Sequence, residues 1–150
     1  MKVFNFRLET LLHLREIARD KALGNYAKAI NVRQDKEQAL QDSRSFLEEL
    51  QLHIGQERMN SFSGSSQESF DLSVKTAKER IIDAHKNLQH SIQSEEAKKR
   101  IYLKADSEYK SLLKLKEKQK EEHVRAESLK EERELEDIIG GRFVFNNISN

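Results

Sequence analysis

Apolar residues recur along this chain at alternating steps of three and four, the spacing that gathers side chains onto one stripe of an α-helix. Between about Phe6 and Asn60 the steps fall on Leu8, Leu11, Arg15, Ala18, Ala22, Asn25, Ala29, Val32, Lys36, Ala39, Ser43, Phe46, Leu50 and His53. A second line runs beside them at Leu12, Leu23, Tyr26, Ile30, Leu40, Leu47 and Ile54. A mean repeat of ~3.5 is that of a coiled-coil seam. Arg15, Asn25, Lys36 and Ser43 interrupt it, and the alanines bury little area, so a modestly stable pairing with polar register marks is expected. Asn5 is the candidate N-cap, with Glu9 at the positive end of the helix dipole.

The one clear turn cluster is Ser61-Phe62-Ser63-Gly64-Ser65-Ser66, which places a turn at about 61–68. Ser69 or Asp71 then caps a second helix, about 69–138. Its steps are Val74, Ala77, Ile81, Ala84, Leu88, Ser91, Glu95, Lys98, Tyr102, Ala105, Tyr109 and Leu112. Beyond Lys116 the stripe thins to Val124, Ala126, Leu129 and Leu135. A fold-back near Gly64 puts Leu8 opposite about residue 120, so the helix after about residue 123 is expected to overhang by ~20 Å. Ile138-Ile139-Gly140-Gly141 reads as a helix end, followed by a short flexible tail over 139–150. The predicted fold is all-α: one coiled-coil domain over 1–150, a long antiparallel two-helix hairpin whose second helix overhangs.

Composition narrows the alternatives. Hydrophobic residues are 36% and charged residues 35% of 150, against roughly 45–50% and 25% in ordinary domains. That is too little apolar material for a compact interior, while zero Pro and 5 Gly suit long helices better than disorder. The absence of Cys excludes disulfides, thiolate metal sites and thiol nucleophiles. The N-terminal segment lacks the apolar run of a signal peptide, and no stretch approaches the ~18 apolar residues of a membrane span.

The net charge of +1 is unevenly spread. Residues 98–120 carry nine Lys or Arg against three Asp or Glu, and residues 121–137 carry three against eight. The plainer reading is a solvated helix face, and the sharper one is an electrostatic docking surface for a protein.

Chemistry-bearing patterns are missing. There is no phosphate-cradling glycine loop and no HExxH. His85 and His90 are spaced for different helix faces, and His13, His53 and His123 are isolated. A two-helix rod offers no water-excluded pocket to shift the pKa of Glu48-Glu49 or Glu131-Glu132. No catalysis, cofactor, metal or small-molecule substrate is therefore expected. Tyr102 and Tyr109 lie on the seam rather than on a stacking platform, which argues against nucleic acid.

The segment Phe4-Asn5-Phe6-Arg7-Leu8-Glu9-Thr10-Leu11-Leu12-His13-Leu14-Arg15-Glu16 resembles the signature F-x-F-R-L-x-x-L-L-x-L-R-E of the FliJ family. The resemblance implies an antiparallel two-helix coiled coil, similar to a rotary-ATPase stalk, in the flagellar type III export apparatus. It implies three kinds of partner: the export ATPase ring, the cytoplasmic domain of the membrane export gate, and export chaperones. It also implies a cytoplasmic place, peripheral to the membrane at the flagellar base. The family's gate-contact spacing falls on Phe70, Val74, Ala77 and Ile81, with Val for Leu and Ile for His, and plain seam packing gives the same spacing. A second family patch falls on Ala39, Ser43, Phe46 and Leu50. The family's ATPase contact corresponds to the joined helix ends, here Arg7 and Arg15 with Arg125, Glu131 and Arg133. The competing reading is a generic structural or homodimerising spacer without any ATPase link.

Overall fold

The computed structural model describes residues 2–60 and 63–149, with Ser61 and Phe62 of the expected turn and Asn150 of the expected tail outside the described residues. Two helices account for almost all of it: α1, Glu9–Met59, and α2, Gly64–Ser149. They pack against each other, and no strand occurs among the described residues. The all-α helical hairpin is therefore the observed fold.

The helix ends differ from the sequence reading in instructive ways. α1 begins at Glu9 rather than Phe6, because the Glu9 amide donates to the Phe6 carbonyl at 3.2 Å and closes a turn ahead of the helix. Phe6 is buried there, and Asn5 lies outside the helix. α2 begins at Gly64 rather than Ser69, because the Ser63 hydroxyl accepts the Ser66 amide at 3.3 Å and acts as the N-cap. Asp71 instead accepts from the Gln67 side chain at 2.7 Å, one turn inside the helix. At the other end α2 passes through Gly140-Gly141 to Ser149, where a non-helical tail was expected. Each glycine costs about 1 kcal/mol in a helix, but with no proline to remove a hydrogen bond the helix propagates across them.

The chain divides into two packed units, Met1–Arg19 with Lys104–Asn150, and Asp20–Leu103. In the second, α1 turns Ala22, Tyr26, Ala29, Arg33, Lys36, Leu40, Ser43, Leu47, Leu50 and Ile54 inward. Half of the expected α1 seam is thus displaced by one residue: Tyr26, Arg33, Leu40, Leu47 and Ile54 replace Asn25, Val32, Ala39, Phe46 and His53. A 3.5 repeat tolerates either choice, and the one that buries Leu40, Leu47 and Ile54 removes more apolar area from water. Opposite them α2 presents Val74, Ala77, Ile81, Ala84, Leu88, Ser91, Glu95, Lys98 and Tyr102, as the stepping predicts.

Among the described residues no buried side-chain nitrogen or oxygen lacks a hydrogen-bond partner. Arg33 bridges Glu95 on α2 and Glu37 on α1, the latter at 2.7 Å. Those carboxylates, Glu37 first, raise the Arg33 guanidinium above its ordinary range. The buried Ser91 hydroxyl donates to the Leu88 carbonyl at 2.7 Å, and Tyr26 stacks on Tyr102 with ring centres 6.2 Å apart.

In the first unit Leu8, Leu12, Arg15 and Arg19 of α1 face Leu112, Tyr109 and Ala105 of α2. Glu9 pairs with Lys116 at 2.8 Å, Arg15 with Glu108 at 2.5 Å, and the Arg19 guanidinium lies 4.3 Å from the centre of the Tyr109 ring. The segment before α1 is clasped by His123, whose Nε2 is 2.9 Å from the Lys2 carbonyl and whose ring lies beside Phe4. From Ser128 to Ile148 every side chain is exposed, which is the overhang.

A methyl group added at Gly24, inside α1, meets open space. Gly24→Ala should therefore stabilise the fold by about 0.5–1 kcal/mol through the lost freedom of the unfolded chain. A thermal melt followed by circular dichroism should show a midpoint about 2–4 °C higher.

Candidate functional site

The displaced seam decides what the surface carries. Because Leu47 takes the inward place on α1, Phe46 is turned to the flank, 48% exposed. It borders a shallow groove of about 310 Å³ with Asp42, Ser43, Ala77 and Arg80. The groove continues past Ser43 and Arg80 into a second hollow of about 260 Å³ lined also by Lys36, Ala39, Asp83, Ala84 and Asn87. Its floor is short side chains: Ala39, Ser43, Ala77 and Ala84. The Ser43 hydroxyl donates to the Ala39 carbonyl at 2.9 Å, so no unpaired donor is left on the floor. The Arg80 guanidinium lies 6.0 Å from the Phe46 ring centre, near the outer reach of a cation–π contact. An apolar floor with an aromatic wall and charged rims suits a helix face, with no convergent acid–base group for chemistry.

The four expected gate-contact residues do not form a patch of their own. Ala77 is 2% exposed, while Phe70, Val74 and Ile81 are half-buried on the face turned to α1. Phe70 and Val74 open to solvent through a hollow of about 300 Å³ with Gln51, Ile54, Gly55, Arg58 and Asp71, and the Phe70 ring meets His53 edge-on at 6.3 Å. Ala77 reaches the surface only as the floor of the Phe46 groove. The structure thus brings Ala77 from one expected patch together with Ala39, Ser43 and Phe46 from the other. Arg80, Asp42 and Asp83 complete the rim without having been singled out by sequence. Arg80 precedes the seam residue Ile81, the one positional cue it offered.

All five residues expected at the ATPase contact belong to the first unit. Arg7 is exposed in the turn before α1. Arg15 is half-buried and tied to Glu108, beside a hollow of about 390 Å³ lined by Leu11, Ser107, Ser111, Leu112 and Leu115. Arg125 is exposed, beside a hollow with Glu117, Lys120, Glu121 and Val124. Glu131 and Arg133 are exposed farther along the overhang.

Among the described residues no cluster of His, Asp or Glu has the makings of a metal site, and no helix is long and apolar enough to cross a membrane. No curated protein and no solved structure matches the chain. The family model for flagellar FliJ protein matches residues 4–145.

Proposed function

The chain belongs to the FliJ family of flagellar proteins, and from that premise we propose that it is a non-catalytic adaptor of the flagellar export apparatus, joining the export ATPase ring to the membrane export gate. The observation that carries this reading is the overhang. Over Ser128–Ile148 α2 has no inward face, yet it is a continuous helix lined with charge. A helix charged up to Asp137 and carrying exposed Leu135, Ile138, Phe143 and Phe145 has no cover of its own for those side chains, and the pore of an ATPase ring would supply one. Arg7, Arg15, Arg125, Glu131 and Arg133 are the proposed contacts. Any gain in ATP hydrolysis then comes from tighter binding to the assembled ring than to separate subunits, since a ligand shifts an equilibrium only by its differential affinity.

The gate domain and the export chaperones are proposed to use the groove of Phe46, Ala77 and Arg80, with Phe70, Val74 and Ile81 supporting its α2 wall. The protein reaches the cytoplasmic face of the membrane through those partners. ATPase turnover measured with and without the full chain tests the ring contact: a several-fold rise is expected, and an unchanged rate with no binding to ring or gate domain would sink the reading. For the groove, Phe46→Ala should weaken gate-domain binding about tenfold or more, as loss of an aromatic anchor does. The thermal midpoint should hardly move, because Phe46 is half in water.

A further inference from the structure

We propose that α1 has two seats against α2 within the unit Asp20–Leu103, and that the Arg33–Glu95 bridge is the latch holding the one observed. Two lines on α1 compete for the inward place. Tyr26, Arg33, Leu40, Leu47 and Ile54 occupy it, while Asn25, Val32, Ala39, Phe46 and His53 each stand one residue earlier, outside. Both lines go with the same companions, Ala22, Ala29, Lys36, Ser43 and Leu50, which face inward already. A roll of α1 about its own axis therefore exchanges one line for the other. One residue is ~100° of an α-helix, and because half the seam is common to both seats, the roll is about half of that.

The surroundings fit such a roll. Val32 and Phe46 on the outer line are large, apolar and half in water, 47% and 48% exposed. Between Phe46 and α2 lie the hollows of about 310 and 260 Å³, floored by Ala39, Ser43, Ala77 and Ala84. These short side chains leave the room that Phe46 fills when it turns inward. Arg80 borders both hollows and precedes the seam residue Ile81, so Ile82, which follows it, lies on the opposite flank of α2. Ile82 is 55% exposed there and covers Leu47 as that side chain turns outward. The outer line of α1 thus needs no second molecule: it is continuous with the seam, and α2 is its cover.

The latch is the Arg33–Glu95 bridge between the helices. The bridge from Arg33 to Glu37 lies within α1 and travels with it, so Glu95 is the partner given up in the roll. The Tyr26–Tyr102 stack and buried Leu40 and Ile54 favour the same seat. Packed helices change between discrete arrangements rather than deforming by degrees. In the rolled seat Phe46 leaves the flank and the groove closes. A partner lying in the groove therefore holds the observed seat, and loss of the latch withdraws the groove. That consequence rests on the groove reading proposed above. The two seats do not, and their test contains no partner.

The chain has no Cys, so introduced pairs report the seat alone. The offset that sets Tyr26 against Tyr102 and Arg33 against Glu95 sets Leu47 against Ile81. Ile81→Cys with Leu47→Cys reads the observed seat, and Ile81→Cys with Phe46→Cys reads the rolled one. Ile81→Cys with Glu48→Cys, on the exposed far side of α1, reads simple loosening of the helices. Disulfide formation within the monomer under a mild oxidant is followed with and without Glu95→Gln. The Leu47 pair should close fastest while Glu95 is present. Glu95→Gln should raise the rate of the Phe46 pair relative to the Leu47 pair about tenfold, with the Glu48 pair unchanged. A Phe46 pair that closes no faster than the Glu48 pair, whether or not Glu95 is present, would overturn the proposal. Phe46 and Glu48 pairs that speed up together would overturn it too, because the helices are then only loosened.

Discussion

Leu40→Ala is expected to lower the stability of the protein by roughly 2–4 kcal/mol, the cost of lost transfer free energy plus a residual cavity. The thermal midpoint should fall by roughly 5–15 °C, read by circular dichroism. The effect is large because the core is small. Leu40 is 6% exposed, and in its unit the other buried apolar residues among the described ones are Ala22, Ile54 and Ala77, two of them alanines. Neighbouring turns hold Arg33, Lys36 and Ser43, which cannot move in to refill an apolar gap without burying polar groups. The control is Phe46→Ala, one turn and a half farther along α1. It removes a larger side chain but from a half-exposed place, so it should cost well under the Leu40 value and act on binding instead. If the two variants melt together, the inward line on α1 is not the one through Leu40 and Leu47.

Truncation after Glu127 is expected to abolish stimulation of the export ATPase while leaving the cooperative melt of the remaining chain nearly in place. The removed stretch is exposed from Ser128 to Ile148, so over those residues it contributes no packed apolar area to either unit. The cut must fall after His123. That ring clasps Lys2 and Phe4, and a cut at Lys120 frees the segment before α1 together with buried Phe6. Helical signal should drop in proportion to the residues removed, with the midpoint shifting by no more than about 2 °C, as surface changes away from the core do. A collapsed transition would mean that the overhang stabilises the hairpin, and full stimulation by the truncated chain would mean that the ring contact lies elsewhere.

The α2 seam was legible because one stepping collects Val74, Ala77, Ile81, Ala84, Leu88 and Tyr102, whereas the apolar residues off it, Ile82, Ile92, Ile101 and Leu103, are too few to make a competing line. On α1 two apolar lines run side by side, and small residues such as Ala18, Ala39 and Ser43 make the wrong step cheap in sequence terms. Only side-chain volume decides between Phe46 and Leu47 for the inward place, and that depends on the helix opposite. The Arg33–Glu95 bridge joins residues 62 apart in the chain, beyond any local pattern. The candidate groove was half legible for the same reason. Its Phe46 and Ala77 stand at seam spacing, but Arg80 and Asp42 look like any other charged flank until the helices are paired. The helical tail was missed because Gly140-Gly141 was read as a stop, whereas an exposed glycine only taxes a helix that nothing else interrupts.

The stacked Tyr26–Tyr102 pair and the Arg19-covered Tyr109 have a practical consequence. The chain holds 3 Tyr and no Trp, so with excitation beyond the phenylalanine band its intrinsic emission comes from these rings. Two of them report on the unit Asp20–Leu103 and the third on the other unit. Tyr109→Phe silences one signal, and Tyr26→Phe with Tyr102→Phe silences the other. The protein thus comes with a separate optical probe for each unit, and a partner that loosens one while holding the other would be seen without attaching a dye.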